Sequence, residues 1–129
     1  LPKTLECTTA ALTAGIGKDG LEMCPIRQVL DRVGDKWSIL LLLTLAQAPT
    51  RFNALGRIVP DISRRMLSET LKSLERDGLV WRKVTPTTPP AVEYGLTDRG
   101  RSLISALRPL VDWAAAEAPA ILAERARAA

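Results

Sequence analysis

Histidine is absent from the 129 residues, and cysteine occurs only as Cys7 and Cys24. The first absence removes Ser-His-Asp and Cys-His catalysis, the HExxH zinc site and His-ligated haem. The second leaves too few thiols for a structural zinc, and the two are not spaced as CxxC. An enzyme would have to work from carboxylates, Lys or Arg, and no clustered pair of them suggests it. The reading is a non-enzyme with no metal and no cofactor. Long apolar runs are lacking as well. The longest, Ile39 to Leu43, continues past Thr44 only to Ala46, far short of the roughly 18 residues that indicate a membrane span. Residues 1–23 show no charged-then-apolar signal peptide. The opening Leu1-Pro2-Lys3 has no initiator Met, as expected of a processed or trimmed terminus. A cytoplasmic protein with no membrane partner is expected.

What is present is ordinary globular composition, 47% hydrophobic and 25% charged, which excludes wholesale disorder. The length suits one domain, or one domain with an appendage. The net charge of +4 is unevenly placed. Residues 1–50 hold five side chains of each sign and residues 102–129 three of each, whereas residues 51–101 hold ten basic and six acidic ones. The whole excess sits in the middle segment, which points to a polyanionic partner, the bland alternative being an ordinary solvated surface.

The punctuation divides the chain into elements. Pro25 suits the first turn of a helix with Cys24 at its N-cap; Ile26, Val29, Leu30 and Val33 follow at helical spacing, and Gly34 stops the run. Asp35 can cap the next helix, Lys36 to about Gln47, which is apolar nearly all round and therefore predicted to be the central core helix. Pro49 ends it. A third short helix fits Arg51 to Val59, with Phe52, Leu55, Ile58 and Val59 inward. After a turn at Pro60-Asp61, Ser63 caps a fourth helix to Asp77 whose apolar stripe is Leu67, Leu71 and Leu74, and Gly78 closes it as the C′ residue. Strands follow at Leu79–Thr85 and Ala91–Thr97, separated by the stiff tip Pro86-Thr87-Thr88-Pro89-Pro90. Thr97 or Asp98 then caps a last helix with a seam of Leu103, Leu107, Leu110, Ala114, Ala118 and Ile121, which Pro109 and Pro119 are expected to bend or interrupt.

A short helix, a turn and a second amphipathic helix with a free polar face make a helix-turn-helix, and a strand pair directly after it makes the wing of a winged helix. The polar face of the fourth helix holds Arg64, Arg65, Ser68, Glu69, Lys72 and Arg76. Arg can read guanine edges in the major groove, and Lys and Ser suit phosphates or bases. Arg51 and Asn53, at the start of the third helix, are candidate phosphate contacts, as are Lys83 and Arg82 on the first strand. The fold class is mainly α with a small β-hairpin (α+β). Residues 1–23 form an N-terminal extension, 24–97 a winged helix-turn-helix DNA-binding domain with its recognition helix at about 63–77 and wing at about 80–97, and 98–129 a C-terminal dimerisation helix.

Several motifs carry a family resemblance in order and in register: Cys24-Pro25, Gly34-Asp35-Lys36-Trp37, Arg51-Phe52-Asn53-Ala54-Leu55, Ile62-Ser63-Arg64-Arg65-Met66-Leu67, Leu74-Glu75-Arg76-Asp77-Gly78-Leu79-Val80 and Val92-Glu93-Tyr94-Gly95-Leu96-Thr97-Asp98-Arg99-Gly100. Over about residues 24–113 the chain resembles the HxlR-type winged helix-turn-helix regulators. The resemblance implies a homodimer on double-stranded DNA with a pseudo-palindromic operator, acting as a transcriptional regulator and more as repressor than activator. It places residues 64, 65, 68, 69 and 72 on the family's recognition-helix face and Trp113 in the dimer-forming terminal helix. It departs at Ala91, where the family often has a basic residue beside the wing prolines; this tip offers Thr87 and Thr88.

Each feature has a plainer rival. Some members of that family sense oxidants through a cysteine near the N-terminus, and a thiol at a helix N-terminus sees the positive dipole end, which favours thiolate. Cys24 is thus the candidate redox sensor, with simple packing at the helix start as the rival. Nothing carries over to Cys7, and a Cys7–Cys24 disulfide is not decided by sequence separation. Trp37, Trp81, Phe52 and Tyr94 could line an effector pocket, but all fall on predicted core positions. The terminal seam, with Leu103, Leu107, Leu110, Trp113 and Ile121 as dimerisation residues, could instead pack on its own domain. The signal is open between oxidation of Cys24, a small ligand between wing domain and terminal helix, and none. The rival function of another class is a winged-helix protein–protein interaction module whose basic face docks an acidic partner.

Overall fold

A computed structural model describes residues 24–128. The expectations about residues 1–23, including Cys7 and its pairing with Cys24, lie outside the described residues. The chain runs α1 (Pro25–Val33), α2 (Lys36–Gln47), β1 (Thr50–Arg51), α3 (Phe52–Ile58), α4 (Arg64–Arg76), β2 (Val80–Thr85), β3 (Ala91–Leu96) and α5 (Asp98–Ala128). The mainly helical winged helix-turn-helix class expected from the sequence is the one observed.

Local chemistry sets most of the boundaries. At the start of α2, Asp35 Oδ1 accepts from the Ser38 amide at 2.8 Å while the Ser38 hydroxyl donates to Asp35 Oδ2 at 2.7 Å, which satisfies a buried serine and an orphan helix donor together. Ser63 caps α4, its Oγ accepting from the Met66 amide at 3.0 Å. Between α3 and α4, Asp61 sits at φ 66°, a left-handed conformation that short polar residues tolerate best among non-glycines. Helix α4 ends in a Schellman motif: Gly78 at φ 75°, its N–H on the Glu75 carbonyl and the Leu79 N–H on the Leu74 carbonyl, both at 3.0 Å. Thr97 caps α5, accepting from the Gly100 amide at 3.1 Å, and its hydroxyl donates to the Gly78 carbonyl, so the terminal helix starts on the end of α4.

The core is one cluster. Leu41 and Leu42 of α2, Leu55 of α3 and Leu67, Leu71 and Leu74 of α4 are fully buried, with Val33, Val80, Tyr94 and Leu96 closing it. Each such leucine contributes about 1.5–3 kcal/mol of burial, enough to hold α3 and α4 at a fixed angle against α2.

The structure differs from the sequence reading at four places. The hairpin is a three-stranded antiparallel sheet ordered β1-β3-β2, because Thr50 and Arg51 pair with Tyr94 and Glu93; α3 accordingly starts at Phe52. In α1 only Val33 is buried, while Ile26, Val29 and Leu30 are 44–54% exposed. Ile58, assigned to the inner face of α3, is exposed because the helix ends there and the chain turns away at Val59. Helix α5 runs through Pro109 and Pro119 without interruption. The carbonyls that lose their helical donors belong to Ser105 and Ala115, both exposed residues, where solvent is able to supply the missing donor.

Candidate nucleic-acid interface

Helix α4 divides cleanly. Leu67, Leu71 and Leu74 face the core, and Arg65, Glu69, Lys72 and Arg76 recur at helical spacing on the opposite, exposed side. Burial of one stripe fixes the direction of the other, so the polar face is presented rigidly. The Arg65 side chain is 87% exposed and its Nε lies 3.0 Å from Glu69 Oε1. This i,i+4 pair on a solvated face contributes little stability, but it orients the guanidinium along the helix surface. Arg76 Nε reaches back to the Lys72 carbonyl at 3.5 Å.

The other expected DNA contacts fall around this face. Arg64 Nη2 donates to Asn53 Oδ1 at 3.0 Å, and its guanidinium stands 5.3 Å from the Phe52 ring centroid, so α3 and the start of α4 present one joined polar edge. Arg51 is exposed at the end of β1. Ser63 is exposed but its oxygen is engaged as the cap. Ser68 is half-buried, in a groove between α4 and the sheet shared with Lys72, Arg82 and Tyr94, rather than on the outermost part of the face. Lys83 is exposed on β2 opposite Glu93 of β3 and does not border the groove beside α4. Arg57, exposed on α3 four residues after Asn53, joins the same edge and was not among the expected contacts; the i,i+4 spacing from Asn53 was the signal that could have found it.

The wing is braced from within. Trp81 faces Gly95 across β2 and β3, and its indole fills the space a side chain at Gly95 would need. At the tip, the Thr87 hydroxyl donates to the Pro89 carbonyl at 2.8 Å. The four aromatics do not form one pocket: Phe52 and Tyr94 share the groove beside α4, and Trp37 and Trp81 lie elsewhere.

Two further places lie away from this face. Cys24 is 2% exposed at the start of α1, and its position as N-cap is as expected, without a side-chain cap bond. A cleft of about 730 Å³ lies between α1, the end of α4 and α5, bordered by Val29, Arg32, Asp77, Arg99 and Leu103. Asp77 Oδ2 is buried and has no hydrogen-bond partner among the described residues. On α5, Leu103 packs against the core of its own domain and Leu107 is half-buried, whereas Leu110 and Trp113 are each 56% exposed and Ile121 is 44% exposed. Every residue from Asp112 to Ala128 is exposed. Among the described residues no group of side chains has the make-up of a metal site, and no helix is long and apolar enough to cross a membrane.

Comparison with known proteins is consistent in kind. The family described as HxlR-like helix-turn-helix matches residues 32–121. An uncharacterized HTH-type transcriptional regulator of Methanothermobacter thermautotrophicus is 42% identical over 91 residues, 70% of this chain and 70% of its own. The solved structure described as "Putative transcriptional regulator ytfH from Salmonella typhimurium" is 38% identical with a TM-score of 0.73, covering 81% of this chain and 93% of that one. The redox regulator HypR in its oxidized form is 40% identical with a TM-score of 0.68, covering 72% of this chain and 96% of that one.

Proposed function

Because the chain belongs to the HxlR-like helix-turn-helix family, we propose that it is a homodimeric, sequence-specific DNA-binding transcriptional repressor, cytoplasmic like its DNA. The observation that carries this reading is the exposed stripe of Arg65, Glu69, Lys72 and Arg76 on a helix whose other side is locked into the core. Helix α4 enters the major groove. Arg65 turns from Glu69 toward a guanine edge, and Glu69, so released, accepts from a cytosine amine. Ser68 and Lys72 lie at the flank of that contact. Arg51, Asn53, Arg64, Arg76 and Lys83 meet the backbone, and Ser63 holds the helix start in place.

Dimerisation rests on α5. From Leu110 to Ala128 this helix extends about 28 Å, with Leu110, Trp113, Ile121 and Leu122 exposed and left uncovered among the described residues. A second copy placing the same helix alongside would bury these side chains and set two α4 helices on one face, as a pseudo-palindromic operator requires. A signal, if the protein takes one at all, enters by oxidation of Cys24 or by a small ligand in the cleft between α1 and α5. Cys24 is buried, so its oxidation would require the start of α1 to open.

The test is Arg65→Ala, measured by titration of operator and random duplexes. Loss of about 1–3 kcal/mol confined to the operator is expected if Arg65 reads a base. Equal losses on both duplexes would make it a backbone contact. Absence of any duplex binding by the wild-type dimer would favour an acidic protein partner for the same face.

A further inference from the structure

The wing tip, Pro86 to Ala91, carries no charged side chain, so it has nothing of its own with which to hold a phosphate. A groove of about 720 Å³ runs between this tip and α3, and it is bordered by Arg51, Arg57 and Arg64 and, among the described residues, by no carboxylate. The three arginines come from different pieces of local structure: Arg51 ends β1 and N-caps α3, Arg57 lies in the last turn of α3, and Arg64 opens α4. Arg64 is held in place by Asn53 and by the Phe52 ring. Arg51 faces Glu93 in the strand register without an ion pair, and Glu93 does not border the groove. The Arg57 guanidinium makes no ion pair among the described residues.

Three like charges around one groove repel one another, and an anion seated among them relieves the repulsion. Arg64 and Asn53 belong both to this groove and to the edge of the recognition helix, so the anion that reaches the groove is continuous with whatever α4 meets. We infer that the groove seats one phosphodiester of the DNA backbone beside the half-site, with Arg57 as a direct contact and the uncharged wing tip as the opposite wall. The wing on this reading shapes a phosphate seat whose charge is supplied by α3 and α4. The inference rests on the DNA-binding reading above.

The experiment is the salt dependence of binding for the full-length wild-type protein, Arg57→Gln and Arg57→Lys on operator and random duplexes. For Arg57→Gln the log–log slope should fall, by up to about 0.9, equally on both duplexes. Arg57→Lys, which keeps the charge, should keep the wild-type slope. A scan of single methylphosphonate substitutions should find one position per half-site that weakens the wild type and weakens Arg57→Gln less, because Arg51 and Arg64 still border the seat. An unchanged slope for Arg57→Gln, with wild-type binding intact, overturns the groove as a phosphate seat and leaves the DNA-binding reading standing. Failure of the wild type to bind either duplex overturns both.

Discussion

Gly78 joins α4 to the wing and to α5, and its replacement by alanine has an effect whose size the geometry fixes. At φ 75° an L-residue costs roughly 1–2 kcal/mol relative to glycine. A Cβ there would also stand 2.5 Å from Arg99 Nη1. The guanidinium must move, and moving it gives up its bond to the Asp77 carbonyl at 3.1 Å. On an exposed surface that bond is worth about 0.5–1.5 kcal/mol. Gly78→Ala should therefore destabilise the protein by about 1.5–3.5 kcal/mol, read by urea unfolding at one fixed protomer concentration, because the stability of any self-associating chain depends on it. The same substitution in an Arg99→Ala background should cost only about 1–2 kcal/mol, since the bond is already gone. Equal losses in both backgrounds would show that Arg99 swings aside freely. A loss under about 0.5 kcal/mol in the wild-type background would refute the left-handed end of α4 altogether.

Other expectations follow from single contacts. Ser63→Ala removes the cap on the Met66 amide and should lower stability by about 0.5–2 kcal/mol in thermal melts, with Ser63→Asp retaining most of it. Leu71→Ala opens a void in the middle of the core, where the side chain is fully buried, and should cost about 2–5 kcal/mol in urea unfolding. Trp113→Asp places a charge on the exposed part of α5 and should shift the sedimentation profile from dimer to monomer; a persisting dimer would remove that helix from the interface.

Much of this architecture was legible because it is written in local chemistry. Asp35 and Ser63 as caps, Gly78 as C′ residue, the Leu67-Leu71-Leu74 stripe and the Pro-rich tip each depend on a few neighbouring residues, and each took its expected place. Strand β1 was not legible, since two residues have no periodicity and Thr50 and Arg51 become a strand only by pairing with β3. The exposure of Ile26, Val29 and Leu30 was not legible either: helical spacing tells which residues share a face, not what covers it. Pro109 and Pro119 read as breaks because each removes a helical donor, yet on a solvated helix solvent is able to supply the missing donor. On the candidate interface, spacing identified the stripe of α4, while Arg57 and the groove it borders emerge only when α3 and the wing tip are brought together in space.

The central claim is that a dimer of this chain reads a specific DNA sequence through α4. Its most direct test is selection of random-sequence duplexes by the purified, reduced protein, followed by sequencing of the bound pool. The expected result is enrichment of an inverted repeat with half-sites about one helical turn apart, lost when Arg65 and Lys72 are both replaced by alanine. A folded dimer that enriches no sequence at moderate salt would contradict the claim.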